Sequence, residues 1–549
     1  MIKYKVLLIV LAALCSLLPA HLSAQVDTVW IRRYNGTGNG SDAGYAIAVD
    51  SLGYIYVAGS TLGSSSWSDY LTIKYNPNGD TAWVRKYNGP ASSDDNVKAM
   101  TIDNQGNVYV TGASMDSVTT KHYATVKYNS AGVEQWVRRY HGPGIYSDIP
   151  YAIAVDSQSN VYVTGMSSGI NNADCATIKY NSNGDTLWVR SYNGISNNED
   201  VGYALTLDGQ GNVYVAGSTY VIGSLQDYLI IKYNSNGDTA WVRRYDNASS
   251  DVAVAIVVDN QNNIYVSGNS YGTNTDIDYA TVKYNSSGVQ QWVSRYNGPL
   301  NNEDSPTNIA IDNQSNIYVT GYSYGLSYNK SYTTIKYNSD GDTLWVKRYT
   351  TPENADDEPE GIAVDNQCNV YITGSTDSTG TGNASDILTI KYNSAGMLQW
   401  FARYSSPGNQ SDMGNAIAVD NQRNVYVTGY YYGSTSYNDA ITIKYAQSPG
   451  IEEVRGKMQE VRGIEVYPNP ARSYFVVRIP SSVKSQALKI FDVTGKVVKE
   501  VRIKKQETRI SLDGIKNGVY FVKVTTPLSL RAEGVAIPKT IINKLVITK

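Results

Sequence analysis

The chain has 549 residues, 42% of them apolar and 17% charged, with a net charge of −3, which is ordinary globular composition with room for several domains. Charge is unevenly placed: residues 464–549 carry 16 Lys or Arg against 6 Asp or Glu, whereas residues 25–463 carry 28 against 43, or −15. An acidic body of this kind lacks the basic face that nucleic acid requires, so no nucleic-acid partner is expected.

At the start, Lys3 and Lys5 precede the apolar run Val6 to Leu18, and Ser23-Ala24 ends in a small residue before Gln25. This is the form of a secretory signal peptide, residues 1–24, too short for a transmembrane anchor. Leu14 stands before Cys15 where lipid attachment would need a small residue. Cys175 and Cys368 fall at unmatched positions of different repeats, so no disulfide framework is expected.

From Trp30 onward the chain repeats itself. Trp30, Trp83, Trp136, Trp188, Trp241, Trp292, Trp345 and Trp400 are spaced by 53, 53, 52, 53, 51, 53 and 55 residues, a period that reads as a propeller or an array. In the unit Tyr151 to Tyr192 the runs YAIAVD, NVYVTG, CATIKYN and TLWVRSY are short, rich in β-branched and aromatic residues, and bounded by Asn, Gly, Asp and Ser. Four such runs predict a four-stranded antiparallel blade. The third run closes eight times, at Tyr75, Tyr128, Tyr180, Tyr233, Tyr284, Tyr337, Tyr392 and Tyr445. The first Trp run precedes every other strand, and the last unit ends at Tyr445 without one. Trp30 to Tyr34 is therefore expected to close the ring as the outer strand of the final blade, because an open edge invites unwanted pairing. The expected fold is all-β: an eight-bladed propeller over residues 25–446 in repeats of about 53 residues, with a seven-bladed or open ring as the alternative. At these runs the chain resembles the bacterial β-propeller repeat (SBBP-like) family, usually described as seven-bladed.

Between the third and fourth runs, Gly stands four residues before Trp, as in Gly79 and Gly396, and predicts a tight hairpin. The Trp is expected to pack between blades, and the Lys that recurs within the third run, as at Lys74 and Lys127, to make a blade-to-blade contact. Turns after the first and third runs are short; those after the second and fourth are longer, variable, and rich in Tyr, Ser, Asn and Gly, as in YSYGLSYNKSY from Tyr322. Binding usually sits on loops of that kind.

Every unit has Asp four residues before the Ala, or its equivalent, of the first run: Asp42, Asp95, Asp148, Asp200, Asp251, Asp304, Asp357 and Asp412. Two readings apply. They ring the channel mouth and hold a ligand or a hard cation such as calcium, or each caps its own turn by accepting backbone N–H bonds.

Signals for an enzyme are thin. Beyond the leader only His122 and His141 occur, too few for a His metal cluster, and no nucleophile elbow or metalloprotease helix motif is present. A Gly-to-Trp hairpin is shared with quinone-dependent alcohol dehydrogenases, but no adjacent Cys pair accompanies it. A pair of Asp residues at the right separation would suffice for a glycosidase or lyase, and such a site should break the eightfold pattern.

Residues 447–463 read as a linker and residues 464–549 as a small β-sandwich. The latter contains, in order, Val466-Tyr467-Pro468-Asn469-Pro470, the run Leu488 to Lys496 with Asp492 and Gly495, the run Asn517 to Val524 with Gly518 and Tyr520, and Lys544 to Lys549. This order resembles the type A sorting domain of the type IX secretion system of Bacteroidetes. The resemblance implies passage through the outer-membrane translocon and release or attachment at the cell surface. Thr525 to Asn543 is longer than that pattern suggests and leaves the pairing of the last hairpin open. The sequence thus predicts an exported, non-catalytic binding propeller, monomeric, without a cofactor unless calcium binds, meeting a glycan or protein on its long-loop face. A carboxylate-dependent glycan-active enzyme and a purely structural envelope protein are the alternatives.

Overall fold

The computed structural model describes residues 26–447 and 465–547, apart from 63–66, 117–119, 171, 224, 248, 273–274, 326–327, 352–355, 378–383, 408–409 and 434–436 in the first part. In the second part residues 468–473, 479–485, 492–496, 504–506, 516–517 and 527–538 are likewise outside the description. The signal-peptide reading and nearly all of the linker therefore lie outside the described residues. The chain divides into two compact units, residues 1–448 and 449–549.

The first unit contains eight four-stranded antiparallel sheets, in seven of which each strand follows its neighbour in the chain. Blade 1 runs through Asp42–Val49, Ile55–Leu62, Ser68–Tyr75 and Thr81–Tyr87, and blade 2 through Asp95–Ile102, Val108–Met115, Lys121–Tyr128 and Glu134–Tyr140. Blades 3 to 7 repeat the pattern, starting with the strands Ile149–Val155, Asp200–Leu207, Asp251–Val258, Asp304–Ile311 and Asp357–Val364. Blade 8 has Met413–Val419, Val425–Tyr432 and Asn438–Gln447 from the end of the repeat region, and its outer strand is Val26–Tyr34, paired antiparallel with Trp30 opposite Lys444. The first strand of each blade touches the first strands of both neighbours, including blade 8 against blade 1, so these strands surround the central channel. The ring is closed and eight-bladed.

Side chains explain why neighbouring blades hold register. The hairpin Gly before each outer strand has φ between +74° and +91° in Gly79, Gly132, Gly184, Gly237, Gly288, Gly341 and Gly396. A Cβ on Gly132 or Gly184 would also come within 2.8 Å of Cδ2 of the preceding blade's Trp83 or Trp136. Gly is needed twice over, for the left-handed backbone and for the indole that lies on it. The Trp Nε1 of blades 1 to 6 donates to a Ser carbonyl of the next blade at 3.1–3.4 Å, as Trp83 does to Ser130. The recurrent Lys donates to that same carbonyl at 2.7–3.2 Å, as Lys74 does. The blade-to-blade Lys contact is thus a bond to backbone rather than an ion pair. Indole and ammonium both find a partner at a carbonyl that would otherwise need water.

The excess of Tyr over Phe has a matching cause. The buried Tyr of each second strand donates its hydroxyl, at 2.8–3.0 Å, to the Asp that closes the hairpin after the first strand, as Tyr109 does to Asp103 and Tyr318 to Asp312. Phe there would leave that carboxylate short of a donor.

The second unit has a three-stranded sheet, Glu465–Tyr467, Tyr474–Arg478 and Glu507–Ser511, and a four-stranded sheet of Val497–Ile503, Gln486–Phe491, Gly518–Thr526 and Lys539–Ile547. Its last two strands pair antiparallel from Gly518 opposite Ile547 to Thr526 opposite Lys539, which settles the hairpin left open by the sequence. Tyr467, Gly518, Tyr520 and Lys544 lie on strands; Pro468, Asn469, Pro470, Asp492, Gly495 and Lys549 lie outside the described residues.

Candidate functional site

The eight Asp residues of the predicted ring are all buried, none more than 1% exposed. Each is turned into the crossover that leads into its own blade. Asp42, Asp95 and Asp200 accept the N–H of Gly36, Gly89 and Gly194, six residues earlier, at 2.5–2.7 Å, and Asp304 accepts that of Gly298. Asp357 and Asp412 accept from Thr351 and Ser406 at 2.9 and 2.6 Å. In the shorter crossover of blade 5, Asp251 accepts from Asn247 at 2.6 Å, four residues earlier. The carboxylates are therefore closed over by their own loops and present no open ring to a shared cation, because the N–H groups they satisfy lie inside each crossover. Burial raises the pKa of Asp42, Asp95, Asp200, Asp304, Asp357 and Asp412, and takes that of Asp251 to about 6.

A second set of acidic residues escaped the sequence reading. Asp69, Asp174, Asp227, Asp278, Asp386 and Asp439 begin the third strands, and five of them raise the pKa of the capping Asp of the next blade by like-charge repulsion, as Asp174 does for Asp200. In blades 4, 5 and 7 the Arg of the same blade's outer strand offsets this charge: Arg244 lies 2.8 Å from Asp227, Arg295 3.0 Å from Asp278 and Arg403 2.6 Å from Asp386. The signal was visible as D-x-x-T-I-K-Y and its variants, but two carboxylates on different blades look independent until the fold stacks them.

Blade 2 departs from that arrangement. His122 takes the position of the second Asp, and its Nδ1 lies 2.7 Å from Asp148 Oδ2 of blade 3. His141 Nδ1 lies 3.3 Å from the same oxygen, and Asp116 Oδ1 is 3.2 Å from His122 Nε2. Too few His for a cluster was a count; the fold brings both of them to one carboxylate.

At the channel mouth, each first strand carries a bulged residue, where its register with the second strand slips: Tyr45, Lys98, Tyr151, Tyr203, Val254, Thr307, Glu360 and Asn415. A bulge re-aims the side chain, and here the eightfold pattern is lost. Tyr151 and Tyr203 have ring centroids 5.1 Å apart, and the Lys98 ammonium sits 5.8 Å from the Tyr151 ring. Across the ring, burial beside Glu358 raises the carboxyl of Glu360 to about 7. A shallow cleft of about 400 Å³ opens beside the Tyr side, lined by Tyr45, Asn96, Lys98, Lys121 and Ile149. The long loops above blades 3 and 4 expose apolar tips: Ile145, Tyr146, Ile170, Ile195 and Ile222 are 63–84% exposed.

The geometry defines a closed propeller with one irregular face, joined to a separate unit of strands. Family models agree on both parts: one described as a beta-propeller repeat matches residues 29–65, 82–114, 135–172, 188–223, 291–328, 344–380 and 399–430. Another, a secretion system C-terminal sorting domain, matches residues 465–534. The chain belongs to the β-propeller repeat proteins and carries a type IX secretion sorting domain. The seven matches leave out residues 224–290, where the structure has the remaining copy and where the crossover is short. Among curated proteins, an uncharacterized WD repeat-containing protein of Acanthamoeba polyphaga mimivirus is 23% identical over 460 residues, covering 67% of this chain and 32% of its own. Beta-agarase A of Zobellia galactanivorans is 36% identical over 59 residues, 11% of each chain. The chain thus spans about a third and about a tenth of these relatives. Among solved structures, the polysaccharide lyase Uly1 is 11% identical with a TM-score of 0.39, covering 66% of this chain and 92% of its own. PorZ, a surface component of the type-IX secretion system of Porphyromonas gingivalis, is 11% identical with a TM-score of 0.24, covering 91% and 92%. The sorting domain assigns this protein to export, and no helix among the described residues is long and apolar enough to cross a membrane.

Proposed function

We propose that the propeller is a non-catalytic binding or adhesion module, monomeric and displayed or released at the cell surface, that meets a glycan or protein through its long-loop face. The observation that carries this reading is where the symmetry fails. The short-turn face repeats in every blade, whereas the bulge ring differs from blade to blade, the cleft opens beside blades 1 to 3, and the exposed Ile tips gather over blades 3 and 4, with Tyr328 and Tyr437 exposed on blades 6 and 8. The paired Tyr rings, tilted 59° to each other, beside an amide and two Lys suit the apolar face and hydroxyls of a sugar, and exposed Ile and Tyr suit a protein surface. A glycan array and cell-adhesion assay on the purified protein, alongside Tyr203→Ala and the double variant Ile170→Asp/Ile195→Asp, test it. Binding lost in either variant, with an unchanged melting temperature, supports the module and says which partner class it serves. Equal behaviour of all three proteins would leave a structural envelope protein.

One observation favours a second reading. A carboxyl raised to about 7 in the channel is suited to donate a proton near neutral pH, as a glycan-active enzyme needs. Depolymerisation of a polysaccharide by the protein, abolished in Glu360→Gln, would select that reading over binding.

A further inference from the structure

Both histidines of the propeller sit at places where blade 2 breaks the repeat. His122 stands where six of the other seven blades carry Asp, and His141 replaces the Asn of the Y-N-G crossover found at Asn35, Asn88, Asn193 and Asn297. They come from different elements, the strand Lys121–Tyr128 and the segment after Glu134–Tyr140, and converge on Asp148 with ring centroids 4.2 Å apart. In blades 4, 5 and 7 the Asp at the His122 position pairs with the outer-strand Arg, whereas the equivalent Arg139 of blade 2 bonds Ser114 and Tyr87, as Arg295 also bonds Ser270 and Tyr245 beside its Asp.

We propose that His122, His141 and Asp148 hold one divalent transition-metal ion, with Zn²⁺ the probe of choice. Two imidazoles and a carboxylate are a donor set that suits Zn²⁺ and its transition-metal neighbours, whereas Ca²⁺ takes six to eight oxygens. Among the described residues this is the one group of three His, Cys, Asp or Glu side chains with ligand atoms within 4.8 Å of one another. A tetrahedral ion with bonds of about 2.0–2.2 Å keeps its ligand atoms roughly 3.3 Å apart. The separation of His141 Nδ1 from Asp148 Oδ2 is already 3.3 Å, and His122 Nδ1, at 2.7 Å, needs to draw back by about half an ångström.

Outer contacts fit the same role. The other carboxylate oxygen of Asp148 accepts from Ser168 N–H at 2.7 Å and Ser167 Oγ at 2.9 Å, which fixes its aim. Asp116 faces Nε2 of His122, the carboxylate–histidine–metal arrangement that sets the tautomer in which Nδ1 is free to ligate. The His122 and Asp148 side chains are 4% and 0% exposed, while His141 is 58% exposed and leaves a route for the ion and for a fourth ligand from solvent.

Calorimetric titration of Zn²⁺ into tag-free, chelator-treated protein tests the site, with Ca²⁺ as the control. One equivalent of Zn²⁺ is expected to bind and to raise the melting temperature in proportion to the logarithm of free ion above its Kd, and Ca²⁺ to do neither. His141→Ala removes a mostly exposed ring and is expected to lower affinity at least tenfold without changing the melting temperature in chelator. His122→Asp restores the residue of the other blades and is expected to weaken binding likewise. Absence of a stoichiometric event, an equal response to Ca²⁺, or unchanged affinity in His141→Ala would overturn the proposal and leave the two His as hydrogen-bond partners of Asp148.

Discussion

Gly184 shows how one residue can answer to two blades. Its φ of +84° is reached cheaply only without a Cβ, and the space a Cβ would take is filled by the indole of Trp136, 2.8 Å away. Gly184→Ala is expected to cost about 2–5 kcal/mol, from ~1–2 for a left-handed backbone and ~1–3 for overpacking. Gly209→Ala has nothing within 4 Å of the new Cβ and serves as the control, expected within about 0.5 kcal/mol of the parent. Urea denaturation at constant m-value compares them; equal midpoints for the two variants would show that the indole contact carries no weight. The turn itself was legible in N-x-x-G, but the indole was not, because the Trp lies some 48 residues earlier in the chain, at Trp136.

At the scale of the element, the strand Val26–Tyr34 carries the most weight. It covers the edge of Asn438–Gln447, buries Trp30, and sends Arg32 Nε to the carbonyl of Gly79 at 2.5 Å, tying blade 8 to blade 1. Trp30→Ala is expected to destabilise the ring by about 3–5 kcal/mol, read as a lower thermal midpoint. Deleting residues 26–34 is expected to do more, since the bare edge can pair with another molecule. Light scattering that showed the deletion variant monomeric and as stable as the parent would contradict this account of closure.

For the whole molecule, the buried carboxyls set a pH dependence. Glu360, raised to about 7, Asp251, raised to about 6, and the other capping Asp residues, also raised by burial, bind protons in the folded state that the unfolded chain has already released above about pH 4. Their contribution is complete below that value and is lost as pH rises through the folded pKa. The melting temperature of the propeller is therefore expected to fall from pH 5 to pH 8, and Glu360→Gln to flatten the upper part of that slope. A melting temperature that rises over the same interval would sink the assignment. Asp103 and Asp312 act in a lower window. Burial raises them, but hydrogen bonds from Asn107, Tyr109 and Ser159, and from Asn316 and Tyr318, more than offset it, so the stability they add is lost only as pH falls below about 4.

The sequence by itself determined what depends on local chemistry repeated in register: strand-forming runs, the Gly hairpins, eight copies of each strand, and an unpaired first strand matching an incomplete last blade. Four ordered blocks at the end likewise identified the sorting domain. Tertiary structure alone decided which groups meet across blades, because such contacts join residues about one repeat apart or on opposite sides of a crossover. The fold turned the Asp residues inward onto their own N–H groups, set a second Asp against most of them, and put one bulged residue on each of the eight first strands that surround the channel. It also carried His122 and His141 to the same oxygen of Asp148, 26 and 7 residues along the chain, a meeting that no spacing rule for metal ligands describes because each ligand stands on a separate element fixed by blade packing.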